Sequence, residues 1–467
     1  MIATEDYTYL DADLNDTRLT SRFNEILKSL PNNISGSIAQ AMESKAATKG
    51  AYRFFRNKKV SPDKLLSAHV NSLEIAPCVA DDDYYLFLSD TTTLDYTNKR
   101  GATNLGYLTQ PYLRGTYLHN DLIISPLGAP IGLLKQDFNN RSEEYLGNSK
   151  ERKNWPIEDK ESMRWVNSFN AAQDFSEQYG IRSIWVADRE ADIIEVFAAR
   201  WQEQSHFIAR AQHDRCLANS SSKLFSLLKQ QATSGTYEID IIDAETLKER
   251  TAQLAVRYCP VELKVATTTK DKQRAGQPKM YAIEVYEINA PDSVKQPIRW
   301  VLLTSLPVHS FEQALHIIRT YIKRWLVERF HYLLKTGGAK VEELQFEKPI
   351  ALQNVITTYS IAIMEVMKLR YLAENQPDMS VYEAGISPIN CEILYAYAQA
   401  NIRKDLVFDP DNPPTIWQYC RVLGMIGGFI PRKSQPLPGL KILTRASEKF
   451  KILLLAFDVF MSKNSNF

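Results

Sequence analysis

Four side chains that can bind metal ions or phosphates recur at helical spacing in residues 309–338: Tyr321, Arg324, Glu328 and Lys335. At about 100° per residue, they lie within about 60° of one another on one side of a helix. A carboxylate flanked by cations suits a metal ion held beside phosphates, with Glu328 on the metal and Arg324 and Lys335 on phosphate oxygens. The alternative is a plain surface helix in which Arg324 and Glu328 form an i,i+4 ion pair. The helix alone leaves both interpretations open.

The helix that must position these side chains is predicted to run without interruption from its N-cap, Ser310, to Gly337 and Gly338. A stripe of apolar side chains occupies its opposite side and is predicted to face the core: Ile322, Leu326, Phe330 and Leu333. The predicted helix therefore buries one side and exposes Tyr321 together with the charged residues.

Two aspartates upstream are predicted to supply further carboxylates. Asp90 follows the β-type run Tyr84–Leu88, and Asp188 follows the apolar run Ile181–Ala187. The order of elements between them predicts a mixed sheet whose first and fourth strands are neighbours, so that both carboxylates meet at one edge. With Glu328, three carboxylates without His or Cys favour two Mg²⁺ or Mn²⁺ ions and in-line phosphoryl transfer. Taken singly, each aspartate is more typical of a strand end or a helix cap.

A basic segment near the N-terminus points to nucleic acid. Residues 41–70 carry seven Lys or Arg against two acidic side chains, although the whole chain has a formal net charge of only +1. Three aromatic residues, Tyr52, Phe54 and Phe55, lie among these cations. Arg53 and Arg56 beside aromatics are typical of a small nucleic-acid-binding module. The equally open alternative is that Phe54 and Phe55 are core residues and the charges form a solvated rim.

Length and composition indicate the domain organisation and limit the kinds of protein that this chain can be. The 467 residues predict a helical N-terminal domain over 1–75, an α/β domain over 76–372 with a β-rich insertion at about 211–297, and a helical region over 373–467. The acidic N-terminus has no apolar leader, and the stretch Ile452–Phe460 is too short to span a membrane. The five scattered cysteines argue against a zinc site or disulfide framework and favour a reducing cytoplasm.

The spacing Tyr321-x2-Arg324-x3-Glu328-x6-Lys335 resembles the Y-R-E-K signature of a family of bacterial insertion-sequence transposases, the insertion-sequence-four family. Three further segments resemble its catalytic motifs: SDTTTLDY around Asp90, VADREADI around Asp188 and KTGG after Leu334. The segment GAYRFFRN resembles the family's N-terminal DNA-binding segment, and the resemblance extends over essentially the whole chain. The acidic and apolar segment AKVEELQFEKP departs from the basic run found there in the family, so the contacts that recognise the DNA end are expected to differ.

This resemblance implies an RNase H-like catalytic domain in which Asp90, Asp188 and Glu328 hold two Mg²⁺ ions, with Mn²⁺ as a substitute. The remaining roles it implies are DNA contacts, at Tyr321, Arg324, Lys335, Arg210 and Trp300 near the cleaved end and at Tyr52, Arg53 and Arg56 in the N-terminal segment. Trp300 matches an aromatic that stacks on a flipped base, which offsets the cost of unstacking. A core aromatic on a β-strand is the alternative for Trp300.

The implied activity is cut-and-paste DNA transposition, and the implied partners are double-stranded DNA, both transposon end repeats and target, and a second copy of the chain. The resemblance implies a bacterial cytoplasmic, nucleoid-associated homodimer with no membrane contact. The apolar C-terminal helix pattern is compatible with dimerisation and fits a monomer core equally well. Two other classes stay open: a non-catalytic, inhibitory DNA-binding descendant of a transposase, and a structure-selective nuclease. The presence of all three carboxylates argues against the first, and the N- and C-terminal modules argue against the second.

Overall fold

The computed structural model describes residues 13–464, except 32, 36, 43, 146–154, 200–201, 219, 244–248, 266–277 and 293. This part of the chain is mixed α/β, with ten strands in a mixed sheet. The chain divides into two compact units: the first comprises Met1–Ala76, Thr91–Ser149 and Leu326–Phe467, and the second comprises Pro77–Asp90 and Lys150–Trp325. The mixed α/β class is confirmed, whereas the predicted domain boundaries and the RNase H-like topology stay predictions.

The strands are β1 (Tyr85–Asp95), β2 (Gly106–Tyr107), β3 (Arg114–Ile124), β4 (Pro130–Asn139), β5 (Ser183–Ala187), β6 (Ser205–Arg210), β7 (Gly235–Ile242), β8 (Glu249–Glu262), β9 (Lys279–Ile288) and β10 (Arg299–Thr304). The α-helices are α1 (Thr17–Ser29), α2 (Ile38–Ala41), α3 (Lys45–Phe55), α4 (Pro62–Asn71), α5 (Met163–Tyr179), α6 (Ile194–Phe197), α7 (Leu224–Lys229), α8 (Phe311–Ile322), α9 (Trp325–Tyr332), α10 (Pro349–Asn375), α11 (Pro388–Asn401), α12 (Ile416–Ile426) and α13 (Leu440–Asn464).

In the second unit the strand order is β1-β5-β6-β10-β9-β8-β7. Strands β1, β5 and β6 are parallel, and the others pair antiparallel from β6 onward. The prediction that the first strand lies next to the strand before Asp188 is confirmed. In the pairing of β1 with β5, Tyr85 lies opposite Ser183 and Ser89 lies opposite Ala187. All five residues of β5 are buried, as expected for a central parallel strand.

The predicted β-rich insertion pairs directly with the strand that follows it, because β9 lies against β10. Within the insertion, one long strand, β8, covers residues 249–262. Pro260 does not end this strand because β7 pairs with β8 only as far as Val256. The missing N–H of the proline therefore removes no ladder hydrogen bond on the β7 side.

The first unit is built around α10, most of whose residues are buried. Strands β3 and β4 pair antiparallel as a hairpin. By length and hydropathy alone, one helix among the described residues, α10, is long and apolar enough to cross a membrane, and 89% of its most apolar window is buried inside the fold. A core helix passes the same test, so this helix is weak evidence for a membrane segment.

Buried polar side chains connect α10 to the N-terminal helices and to α9. The Asn354 amide on α10 donates to the carbonyl oxygens of Phe55 and Val60, at 3.0 and 3.2 Å. Gln136 donates to Asn120 at 2.8 Å, and the Asn120 amide lies 3.0 Å from Nε2 of His331 on α9. These bonds fix the end of α3 and the orientation of α9 within the first unit.

His69 on α4 makes the stability of the first unit depend on pH. Its imidazole is fully buried and accepts a hydrogen bond from the Leu133 backbone N–H at 3.1 Å. Burial disfavours the charged ring and lowers the pKa of His69 to about 3. The unfolded chain takes up a proton near the ordinary pKa of about 6.5, so the free energy of unfolding falls as the pH drops below that value.

We therefore expect the free energy of unfolding of the wild type to fall by about 2 kcal/mol between pH 7.5 and pH 5.0 because of His69. The fall is about 1.4 kcal/mol for each pH unit below 6.5. His69→Gln keeps an acceptor for the Leu133 N–H but cannot titrate, so this part of the pH dependence should disappear. Urea unfolding of both proteins at the two pH values measures the difference. Equal losses in the two proteins would show that the folded state tolerates the imidazolium.

Candidate active site

Asp90 and Asp188 lie side by side in the second unit. They follow directly on the last paired residues, Ser89 of β1 and Ala187 of β5, in two adjacent parallel strands. One detail of the prediction is wrong: β1 does not end before Asp90 but continues to Asp95. Asp90 is therefore held by regular strand geometry, which fixes its carboxylate more firmly than a loop would.

Arg324 binds the first of these carboxylates. Its Nη1 donates to Oδ2 of Asp90 at 2.9 Å, and the two side chains are only 14% and 17% exposed. A partly buried pair in this geometry is stronger than a surface ion pair. The structure thus brings Arg324, one of the four signature residues, to the carboxylate of Asp90, which lies more than two hundred residues earlier in the chain.

Burial raises the pKa of the Asp188 carboxyl. Two effects oppose this shift: a hydrogen bond from the Glu190 backbone N–H at 2.8 Å, and the positive charges of Arg324 and Arg189. The nearby Glu190 carboxylate raises the pKa further. Asp188 is thus a desolvated carboxyl beside another acid, and a bound cation would stabilise its charged form.

Tyr321, Trp300 and Arg210 belong to the same neighbourhood. The rings of Trp300 and Tyr321 lie 6.0 Å apart with an interplanar angle of 59°. Burial raises the pKa of Tyr321, while the charges of Arg324 and Arg210 lower it. Arg210 also donates to the carbonyl oxygen of Arg299 at 3.4 Å. The predicted exposure of Tyr321 is wrong, since the side chain is only 6% exposed.

The predicted uninterrupted helix is also wrong. Helix α8 ends at Ile322, α9 begins at Trp325, and the chain then forms a π-helical turn over Leu333–Gly337. Of the predicted core stripe, Leu326, Phe330 and Leu333 are buried, whereas Ile322 is 37% exposed. Because the helix is interrupted between Tyr321 and Glu328, the ideal rotation of about 100° per residue cannot be extended from one side chain to the other.

Glu328 and Lys335 lie in the first unit. Glu328 is half-buried on α9. Lys335 donates to the carbonyl oxygen of Thr93 at 2.8 Å and lies 3.4 Å from the Glu342 carboxylate. A Cβ on Gly337 in the π-helical turn would lie 2.2 Å from the Tyr332 ring, so a larger residue there would force that ring to move. The KTGG motif therefore has a local structural reason as well as a predicted catalytic one.

In the part of the chain that the structure describes, no group of three or more His, Cys, Asp or Glu side chains is arranged to hold a metal ion. The two adjacent aspartates offer carboxylate oxygens, which are the ligands that Mg²⁺ and Mn²⁺ prefer. The three-carboxylate metal site accordingly stays a prediction.

The predicted N-terminal DNA-binding residues lie on α3 and at its C-terminal end. Phe54 and Phe55 are 1% exposed, so the core interpretation holds for both. Tyr52 is half-buried, with its ring 5.8 Å from that of Phe346. The cations of this segment point outward: Lys45, Lys49, Arg53 and Arg56 are all exposed. At helical spacing these four lie within about 80° of one another, so a buried aromatic face supports an exposed basic stripe.

Sequence reasoning missed two features beside the site. Trp325, directly after Arg324, exposes 57% of its surface, and no sequence signal indicated this exposure because the two residues that follow it, Leu326 and Val327, are apolar. Asp192 precedes the short helix α6 but does not act as its N-cap. The Asp192 carboxylate instead accepts hydrogen bonds from the backbone N–H groups of Gln212 and His213, at 2.7 and 2.8 Å. No sequence signal indicated this contact.

An exposed basic stripe on a small helical module is typical of a nucleic-acid-binding protein, and the two adjacent aspartates form a candidate functional site. Comparison with known families is consistent with this class, since residues 6–60 match the family model described as transposase DNA-binding. The match covers α3 and its basic stripe and supports a transposase that binds DNA.

Proposed function

We propose that this protein is a cut-and-paste DNA transposase of the insertion-sequence-four family, similar to the transposase of transposon five. The observation that carries the proposal is the adjacency of Asp90 and Asp188, with Arg324 on Asp90, in a chain whose residues 6–60 match transposase DNA-binding. The proposed organisation is an N-terminal DNA-binding domain, an RNase H-like DDE catalytic domain with a β-rich insertion, and a helical C-terminal region.

The proposed cofactor is a pair of Mg²⁺ ions, with Mn²⁺ as a substitute, held by Asp90, Asp188 and Glu328. Two features support this assignment: both aspartates offer oxygen ligands from adjacent strands, and Asp188 is a desolvated carboxyl beside Glu190, whose charged form a cation would stabilise. When bound, such ions activate the attacking oxygen and stabilise the leaving oxygen. With a metal ion on the Asp90 carboxylate, Arg324 would be available to contact a phosphate oxygen.

In this proposal the same in-line displacement occurs four times. Water cuts one strand and frees a 3′-hydroxyl, which attacks the opposite strand to make a hairpin. Water then opens the hairpin, and the regenerated 3′-hydroxyl attacks target DNA. Each displacement forms one P–O bond and breaks another, so no external energy source is required.

The remaining predicted contacts are assigned to DNA in the same proposal. Arg324, Lys335 and Tyr321 hold phosphate oxygens near the cleaved bond, through charge and a buried phenol. Trp300 stacks on a base flipped from the duplex, and Arg210 neutralises a phosphate beside it. The indole of Trp300 is half-buried and lies 6.0 Å from the Tyr321 ring, so part of the side chain is accessible.

The proposed partners are duplex DNA and a second copy of the chain in a synaptic complex that holds two transposon ends. Helix α13 supports dimerisation because its last turns expose apolar side chains: Ile452, Leu455, Val459, Phe460 and Met461. The proposed location is the bacterial nucleoid within the cytoplasm.

Cleavage of a labelled duplex carrying the element's own terminal repeat tests this function, with Mg²⁺ or Mn²⁺ and with wild type compared with Glu328→Ala. We expect a hairpin-ended product from the wild type and none from the variant, which should still bind the duplex. Binding without any cut by the wild type would favour the non-catalytic descendant. Nicks without hairpins would favour a nuclease.

A further inference from the structure

The outward side of α8 carries a second group of basic side chains. His316, Arg319 and Lys323 occupy positions i, i+3 and i+7, so they lie within about 60° of one another along roughly 10 Å of helix. All three side chains are exposed. This basic face of α8 leads along the helix toward Arg324, which binds Asp90 in the same unit.

Acidic side chains do not neutralise this face. No ion pair involves Arg319 or Lys323 anywhere in the described part of the chain. Two acids lie nearby: Glu312, which binds its own helix start through Ser310, and Asp82, whose charge acts on His316. Clusters of like charge on a surface cost free energy unless an anion binds them.

Two further observations point to a missing anionic ligand. Desolvation lowers the pKa of Lys323 at the end of α8, although the residue is exposed, and an anion beside it would restore its charge. The hydroxyl of Tyr237 on β7 is buried and, among the described atoms, has no hydrogen-bond partner. The charge of Arg319 acts on this phenol, so Tyr237 belongs to the same cluster. A phosphate oxygen would satisfy an unpaired buried hydroxyl that lies near the cation of Arg319.

We propose that the basic face of α8 binds the phosphate backbone of duplex DNA, with Arg319 and Lys323 contacting phosphates and Tyr237 donating a hydrogen bond. The inference rests on the proposed function, since it extends the same DNA outward from the active site. His316 contributes as a neutral donor at pH 7, because desolvation and the adjacent cations lower its pKa. The length of the face matches two to three phosphates along one strand.

Salt dependence distinguishes this surface from a merely solvated one. Each phosphate contact adds about 0.9 to the slope of log Kobs against log salt concentration. The double variant Arg319→Gln/Lys323→Gln should therefore reduce that slope by about 1.8. Tyr237→Phe should weaken binding by about fivefold at every salt concentration and leave the slope unchanged, because it removes a neutral hydrogen bond.

The matched control is Arg403→Gln/Lys404→Gln, which removes the same two charges from an exposed turn of the first unit. There Arg403 is already paired with Asp405, so the salt slope of this control variant should stay at the wild-type value. Binding is measured by fluorescence anisotropy with a labelled terminal-repeat duplex over a series of NaCl concentrations. Circular dichroism checks that each variant is folded.

Three results would overturn the inference: a wild-type slope in the α8 double variant, an equal loss of slope in the control pair, or no DNA binding by the wild type. The last result would also overturn the proposed function. If the wild type binds but makes no nick in the cleavage assay, only the proposed function fails, and the slopes still decide whether α8 contacts DNA. A slope lowered only in the α8 variant supports the inference.

Discussion

Asp188→Asn should abolish DNA nicking while leaving the affinity for the terminal repeat within about twofold of wild type. The substitution keeps the size of the side chain and its acceptor for the Glu190 N–H, but removes the negative charge. Loss of one electrostatic group at a transition state costs about 10²- to 10³-fold, and a lost metal ligand should cost at least the upper figure. Nicking of a labelled duplex in Mg²⁺, under single-turnover conditions, measures the loss.

The matched control for this prediction is Asp174→Asn, the same substitution at an exposed position on α5 in the same unit. Nicking by this control should stay near the wild-type rate. A second readout separates a metal role from a structural one: Mg²⁺ should raise the melting temperature of wild type more than that of Asp188→Asn. Normal nicking by Asp188→Asn would remove the metal-site proposal.

The placement of the two aspartates was predictable because it depends on local pattern and chain order. Ile181–Ala187 is a short apolar run, and Ser183–Ala187 forms the fully buried strand β5. A strand followed by a hairpin, a helix and another strand leaves few ways to build one sheet. The neighbourhood of Asp90 and Asp188 therefore followed from sequence order, without knowledge of any side-chain contact.

The break between α8 and α9 was not predictable, because the sequence contains no helix breaker there. Periodicity through residues 309–338 indicated one helix, and propensity alone favours that helix as well. Burial of Tyr321 beside Trp300 and pairing of Arg324 with Asp90 are contacts between distant segments. Such tertiary contacts override local propensity, and periodicity cannot report them.

The cluster on α8 was hidden from sequence analysis for the same reason. Arg319 and Lys323 are visible as basic residues, but their lack of acidic partners depends on the surrounding fold. Tyr237 joins them from β7, about eighty residues earlier in the chain. By contrast, the basic stripe of α3 lies within one short segment, so its periodicity could be read directly.

The exposed stripe of α3 should supply much of the affinity for DNA. Arg53→Ala/Arg56→Ala is expected to weaken binding of the terminal repeat by about 10- to 100-fold near 0.1 M salt and to reduce the salt slope by about 1.8. Neither arginine forms an ion pair within the described residues, so their charges are available to phosphates. Fluorescence anisotropy over a salt series measures both quantities.

Arg18→Ala is the appropriate control for the α3 prediction, because Arg18 is an exposed cation in the same module but is already paired with Asp16 at 3.1 Å. Removal of a compensated charge should change the affinity less than about threefold. Phe54 and Phe55 support the stripe from the core, so substitutions there would lower the stability and leave the cause of weakened binding ambiguous. The arginine pair avoids this ambiguity because both side chains are exposed. Unchanged affinity in Arg53→Ala/Arg56→Ala would move the main recognition surface to another part of the chain, with the basic face of α8 as the next surface to test.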